Sequence, residues 1–178
     1  SNIVNFTLMA YFSTRNPNKT LSTQLAIGIS LISGVFFQSL LNFFSFEIYG
    51  SSVPVTLMTL IYWNIALPKN IGLAWSFISG ILLDLNLGYF LGTHVILFLF
   101  ISYLTQRYFH RIRAMFQIQQ SILIASIVFL YLVILYIFFQ GFSFFVFLAI
   151  ALNSIISAVI WPILFGLLRL IRRKYTYA

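Results

Sequence analysis

Six apolar stretches, at about 22–44, 53–68, 71–87, 90–106, 118–139 and 144–168, fill nearly all of this chain of 178 residues. An α-helix rises about 1.5 Å per residue, so roughly 20 residues cross the ~30 Å hydrocarbon core of a bilayer. Inside lipid every backbone N–H and C=O must find a partner within the chain, and helices supply those partners locally. The expected fold is therefore an all-α polytopic membrane protein, a bundle of six transmembrane helices. Composition agrees: only 7% of residues are charged, against about 25% in a soluble domain.

Charge sets the expected orientation. With the N-terminus in the cytoplasm, Arg15 and Lys19 lie inside and Glu47 outside. Lys69 returns inside, the uncharged turn at Gly88 is outside, and Arg107, Arg111 and Arg113 are inside. The uncharged Gln140-Gly141-Phe142-Ser143 is outside, and Arg169, Arg172, Arg173 and Lys174 end inside. All ten basic residues then face the cytoplasm, as the positive-inside bias requires, whereas a five-span reading breaks the agreement. The net charge of +8 is thus topological and not a nucleic-acid footprint. Spans two and three are separated by Pro68-Lys69-Asn70, because proline removes a backbone donor. Spans three and four are separated by the turn Asn86-Leu87-Gly88-Tyr89. The layout is a cytoplasmic segment 1–20, a membrane domain 21–171 and a basic tail 172–178. Ser1 to Phe12 lacks a basic leader and a small-residue cleavage site, so no cleaved signal peptide is expected; the missing initiator Met points to an incomplete or processed N-terminus.

Buried polar groups are costly in lipid, so each is a candidate site. Asp84 is the only acid within a span. Ser76, Gly80, Asp84 and Gly88 are spaced by four and share a helix face, where small residues admit another helix closely. Asp84 would point into the bundle, within reach of Thr93 or His94 at the start of span four. One reading is a proton, cation or substrate site; the plainer one is a structural acid that locks the hairpin. With no second carboxylate and no intramembrane Lys or Arg, the structural reading is preferred. Ala26, Ser30 and Gly34, with Gly28 nearby, form a second small-residue face suited to internal packing or to a partner's single span. Gln38 and Asn42 extend its polar side. In span six, Asn153, Ser157 and Trp161 form an i, i+4 row, and the mid-membrane amide needs a partner in the bundle. Pro162 is expected to kink that helix or end its regular part. Asn64 lies beside Trp63 near the inner end of span two. Span five, the most uniformly apolar, is expected to face lipid. Arg107, Arg111, Arg113, Arg169, Arg172, Arg173 and Lys174 are candidates for lipid headgroups or an acidic cytoplasmic partner, at about 1 kcal/mol per basic residue near the surface.

No catalytic constellation is present. There is no Cys, and neither a credible Ser–His–Asp set, HExxH, a glycine-rich phosphate loop nor paired carboxylates. His110 sits among arginines and is no metal ligand candidate. The chain is expected not to be an enzyme and to use no cofactor.

Three patterns in order, Ile61-Tyr-Trp-Asn-Ile-Ala-Leu-Pro68, then Gly80-Ile-Leu-Leu-Asp-Leu-Asn-Leu-Gly-Tyr-Phe-Leu-Gly92, then Asn153 through Trp161-Pro162 to Arg169, resemble the bacterial rod shape-determining protein MreD family over residues 22–174. The resemblance implies a non-enzymatic protein of the bacterial inner membrane, part of the machinery that elongates the cell wall. It implies association with MreC and, through it, with the filament protein MreB, RodA and penicillin-binding protein 2. It implies a fold similar to the substrate-binding subunits of energy-coupling-factor vitamin transporters. Trp63, Pro68, Gly80, Asp84, Gly88, Gly92, Asn153, Trp161 and Pro162 carry over as fold or partner determinants. Two rival functions share that fold: a small-molecule-binding subunit of a vitamin importer, with Asp84, His94, Asn42 and Gln38 lining a pocket, and a lipid-binding or lipid-flipping protein.

Overall fold

The computed structural model describes residues 17–44, 52–139 and 143–176. Arg15, Glu47 and the Gln140-Gly141-Phe142 stretch lie outside them. Among the described residues six helices follow in order: α1 Pro17–Phe43, α2 Val55–Ala66, α3 Pro68–Leu87, α4 Thr93–Ala114, α5 Gln117–Phe139 and α6 Phe144–Thr176. Among the described residues there is no strand.

Neighbouring helices run antiparallel. Along α1 and α2, Gln38 meets Thr56, Gly34 meets Thr59 and Ser30 meets Trp63. Along α3 and α4, Asp84 meets Gly92 and His94 while Ser76 meets Ser102. Ser22 of α1 reaches Tyr175 of α6. The start of α1 and the end of α6 therefore share one end of the bundle. Every described Lys and Arg belongs to that end, which we call the basic end; the Asp84 hairpin marks the other.

One proline and three glycines punctuate the chain between α2 and α4. Leu67 lies outside the helical region (φ −140°, ψ 62°), which a following proline disfavours, and Pro68 occupies the first turn of α3, where its missing N–H costs nothing. Pro68 thus opens the third helix instead of closing the second. Gly72, at φ +54°, kinks α3 one turn later. At the far end of α3, Gly88 takes the left-handed conformation (φ 72°) that ends the helix, and Gly92 (φ 107°) starts α4.

The second apolar stretch is shorter than expected: α2 has 12 residues, about 18 Å of helix, too little to cross a bilayer alone. All of α2 is buried, with Leu57, Met58, Leu60, Ile61 and Trp63 fully enclosed. It is the axis of the bundle, and its neighbours screen it from lipid. Four helices are long and apolar enough to span: Leu21–Phe43, Pro68–Leu87, Gln117–Phe138 and Phe144–Tyr175. The fourth stretch begins at Thr93 and runs to Ala114 instead of stopping at 106, so Arg107, Arg111 and Arg113 ride on helix. The sixth continues past Arg169 to Thr176, and Pro162 lies inside it without ending it.

Span five does not simply face lipid. Gln120, Ile124, Val128, Leu132 and Tyr136, spaced by four, are buried, while Ile118, Ile122, Leu130 and Phe138 are exposed. Its uniform apolarity hid this division, because both lipid and core accept the same residues.

Candidate functional site

At the α3–α4 hairpin, the Asp84 side chain is fully buried. One carboxylate oxygen accepts the Gly92 N–H at 2.8 Å. The other accepts the His94 N–H at 3.0 Å and lies 2.6 Å from His94 Nδ1. The Gly88 and Tyr89 amides close on the Asp84 carbonyl. The carboxylate thus sits on the first turn of α4, where free N–H groups and the helix dipole favour an anion. His94 is boxed by Tyr89, Phe98 and Tyr131, with the Tyr89 ring edge-on at 4.9 Å. Thr93, the other expected partner, donates its backbone N–H to the Phe90 carbonyl at 3.1 Å. Gly80, one turn away, brings the helices together: a Cβ there would lie 2.7 Å from Val95 Cα.

A second polar node joins α2, α3 and α4 at mid-bundle. Ser102 Oγ receives Asn64 Nδ2 at 2.9 Å and Ser76 Oγ at 2.7 Å, and Gln106 donates to Asn64 Oδ1 at 2.7 Å. Sequence reasoning noted Asn64 and Ser76 but missed Ser102 and Gln106. Their spacing of four within an apolar run was the available signal.

The Ala26, Ser30 and Gly34 face is turned inward. Ser30 accepts the Trp63 indole N–H at 2.7 Å, and Gly34 packs over Thr56 and Thr59. Gly28 sits under the Trp75 ring, itself held by Gln24. Asn153, Ser157 and Trp161 form a buried row on α6, and Trp161 and Tyr62 both pack on Phe165.

Several hollows surround this core among the described residues. A cavity of about 570 Å³ at the hairpin end is lined by Gln38, Asn42, His94, Tyr131 and Tyr136. A lateral groove of about 1010 Å³ runs between α1, α2 and α6. A cavity of about 620 Å³ opens at the basic end. Among the described residues no group of three or more His, Cys, Asp or Glu gathers to hold a metal.

The family model for rod shape-determining protein MreD matches residues 19–171. The chain belongs to the MreD family. A relative from Haemophilus influenzae, named "Rod shape-determining protein MreD", is 35% identical over 121 residues, covering 66% of this chain and 73% of the relative. No solved structure matches the chain. MreD proteins are multi-pass proteins of the bacterial inner membrane that act in rod shape determination, and they are not enzymes.

Within that family reading, the motif residues divide by their surroundings. Gly80, Asp84, Gly88 and Gly92 build the hairpin, whereas Trp63, Asn153 and Trp161 are buried in the bundle. Pro68 starts α3 and Pro162 is exposed on α6. The basic candidates also separate. Arg113 donates from Nε to the Ile65 carbonyl at 2.8 Å and from a terminal nitrogen to the Ala66 carbonyl, capping α2. Arg107 bonds the Tyr103 hydroxyl at 3.2 Å. Arg111, Arg169, Arg173 and Lys174 are exposed and Arg172 is half-buried; Arg169 and Arg172 line the basic cavity.

Proposed function

We propose that the protein is a non-catalytic scaffold of the cell-elongation machinery, gripping the transmembrane helix of MreC along the side of its bundle. The basic end, where α1 starts and α6 ends, faces the cytoplasm, following the positive-inside bias. Through MreC the scaffold couples MreB filaments to RodA and penicillin-binding protein 2, and so to peptidoglycan synthesis.

The observation that carries this reading is the groove between α1, α2 and α6. Its wall is almost wholly apolar, with Ser30, Gly34 and Asn153 as buried lining and Ser33 exposed beside them. Small residues let helix backbones approach, and a few polar atoms add orientation, which is how helices associate in lipid. Co-purification of MreC with the full chain tests it. Ser33→Phe and Ile163→Trp fill the groove from exposed positions and are expected to cut retained MreC at least tenfold without altering insertion. An inserted, monodisperse wild-type chain that retains no MreC sinks the mechanism.

One observation favours a second reading, a small-molecule subunit. In the hairpin-end cavity Gln38, Asn42 and His94 converge, and Asn42 Oδ1 is buried without a hydrogen-bond partner. A stoichiometric small molecule released on denaturing the purified chain supports it; a clean mass spectrum of the extract removes it.

A further inference from the structure

The basic end of the bundle is hollow, and its charge is unbalanced. Lys69 from α3, Arg113 from α4, and Arg169 and Arg172 from α6 line one cavity of about 620 Å³. That is within the range of pockets that enclose small ligands. Four like charges around one space repel each other unless an anion intervenes. The chain has two acidic residues in all. Asp84, the sole carboxylate among the described residues, is held by His94 at the opposite end.

Two orphaned polar atoms point to what belongs there. Arg172 Nε is buried with no hydrogen-bond partner, an unfavourable arrangement for a charged donor. Gln120, 5% exposed, spends its Nε2 on the Ile112 carbonyl and leaves Oε1 without a partner. The cavity therefore offers cationic donors together with one buried acceptor. That pairing suits a phosphate whose substituent carries a hydroxyl. Planar guanidinium forks match phosphate oxygens in pairs.

Depth and walls agree. The cavity is formed at Pro68, where the apolar span Pro68–Leu87 begins, so it lies at the level of lipid headgroups. Phe109 and Phe165 form apolar walls. Basic pockets between helices at this level are suited to anionic headgroups.

We propose that this cavity binds a phosphate group, with Arg169 and Arg172 as its direct ligands and Lys69 and Arg113 supplying the surrounding field. The phosphate comes from an anionic lipid headgroup or from free phosphate. The site stands on its own residues and is independent of the scaffold reading.

The test is native mass spectrometry of the full chain released from detergent, titrated with phosphatidylglycerol, phosphatidylcholine or inorganic phosphate. One phosphatidylglycerol is expected to remain per chain, at least tenfold tighter than phosphatidylcholine. R169Q/R172Q is expected to weaken it at least tenfold, and R173Q/K174Q, outside the cavity lining, less than twofold. Millimolar inorganic phosphate that displaces the lipid assigns the site to phosphate itself; phosphate that neither binds nor competes assigns it to the lipid headgroup. Equal losses in the two double variants, or equal retention of the two lipids without phosphate binding, overturn the proposal. If R169Q/R172Q does not fold, R172K decides: it keeps the charge and loses the fork, so binding should fall at least threefold, and unchanged binding overturns the site.

Discussion

Asp84 and His94 are joined twice, once through the imidazole at 2.6 Å and once through the His94 backbone N–H at 3.0 Å. The same carboxylate therefore fixes a side chain and begins a helix. With the Gly92 N–H as its third donor, the acid leaves little room for a substrate. Its surroundings are those of a clasp.

Replacing Asp84 separates shape from charge. Asp84→Leu removes the acceptor from three donors, two of them buried, and should cost about 3 kcal/mol or more, read as a large fall in the unfolding midpoint in detergent. Asp84→Asn keeps one acceptor oxygen and should lose roughly half as much. If Asp84→Asn leaves stability and assembly intact but abolishes rod-shape complementation, charge and not closure is the role of this residue.

Glycines on the two small-residue faces should respond differently. An Ala Cβ at Gly80 would meet Val95 backbone at 2.7 Å, so Gly80→Ala must push α3 from α4, at about 1–3 kcal/mol. At Gly34 the nearest atom is Thr59 Oγ1 at 3.4 Å, an ordinary contact, and Gly34→Ala should change stability by less than about 1 kcal/mol. Thermal unfolding of the two variants side by side checks the contrast.

Arg113 should matter for stability and Arg111 should not. Arg113→Ala uncovers the last carbonyls of α2, which hydrogen bonds from a charged donor stabilise by about 1.5–3 kcal/mol. Arg111→Ala, at an exposed position, should stay within about 0.5 kcal/mol. Comparable destabilisation by both would show that general surface charge, and not the cap, is being measured.

Ser102→Ala should cost more than Ser154→Ala. Ser102 is the meeting point for Asn64 and Ser76, so its loss strands two buried polar groups, at roughly 1–3 kcal/mol. Ser154 bonds only its own helix at the Ile150 carbonyl and should be nearly neutral. The two unfolding midpoints decide it.

Much of the architecture was legible in the residues. Apolar length and the placement of Lys and Arg mark the helices and their alternation, because lipid admits only segments that satisfy their own backbone. The glycine spacing around Asp84 marked the hairpin, since a left-handed turn and a close approach both favour residues without a Cβ. Other features were not legible. Nothing in the composition of α2 distinguishes a helix buried at the axis from one bathed in lipid, and α5 showed no polar stripe to reveal its inner face. Arg113 read as a surface charge until its fork was seen on the Ile65 and Ala66 carbonyls.

By itself, then, the sequence determined an all-helical membrane chain of the MreD family, the sidedness of its charges and the one acid worth watching. The tertiary structure alone decided where polar atoms are brought: Asp84 to the start of α4, Ser102 to two other helices, and Arg172 to the basic-end cavity. The reason is physical. Hydropathy measures transfer from water and is the same for lipid and for protein interior, whereas hydrogen bonds depend on the relative rotation of helices far apart in the chain.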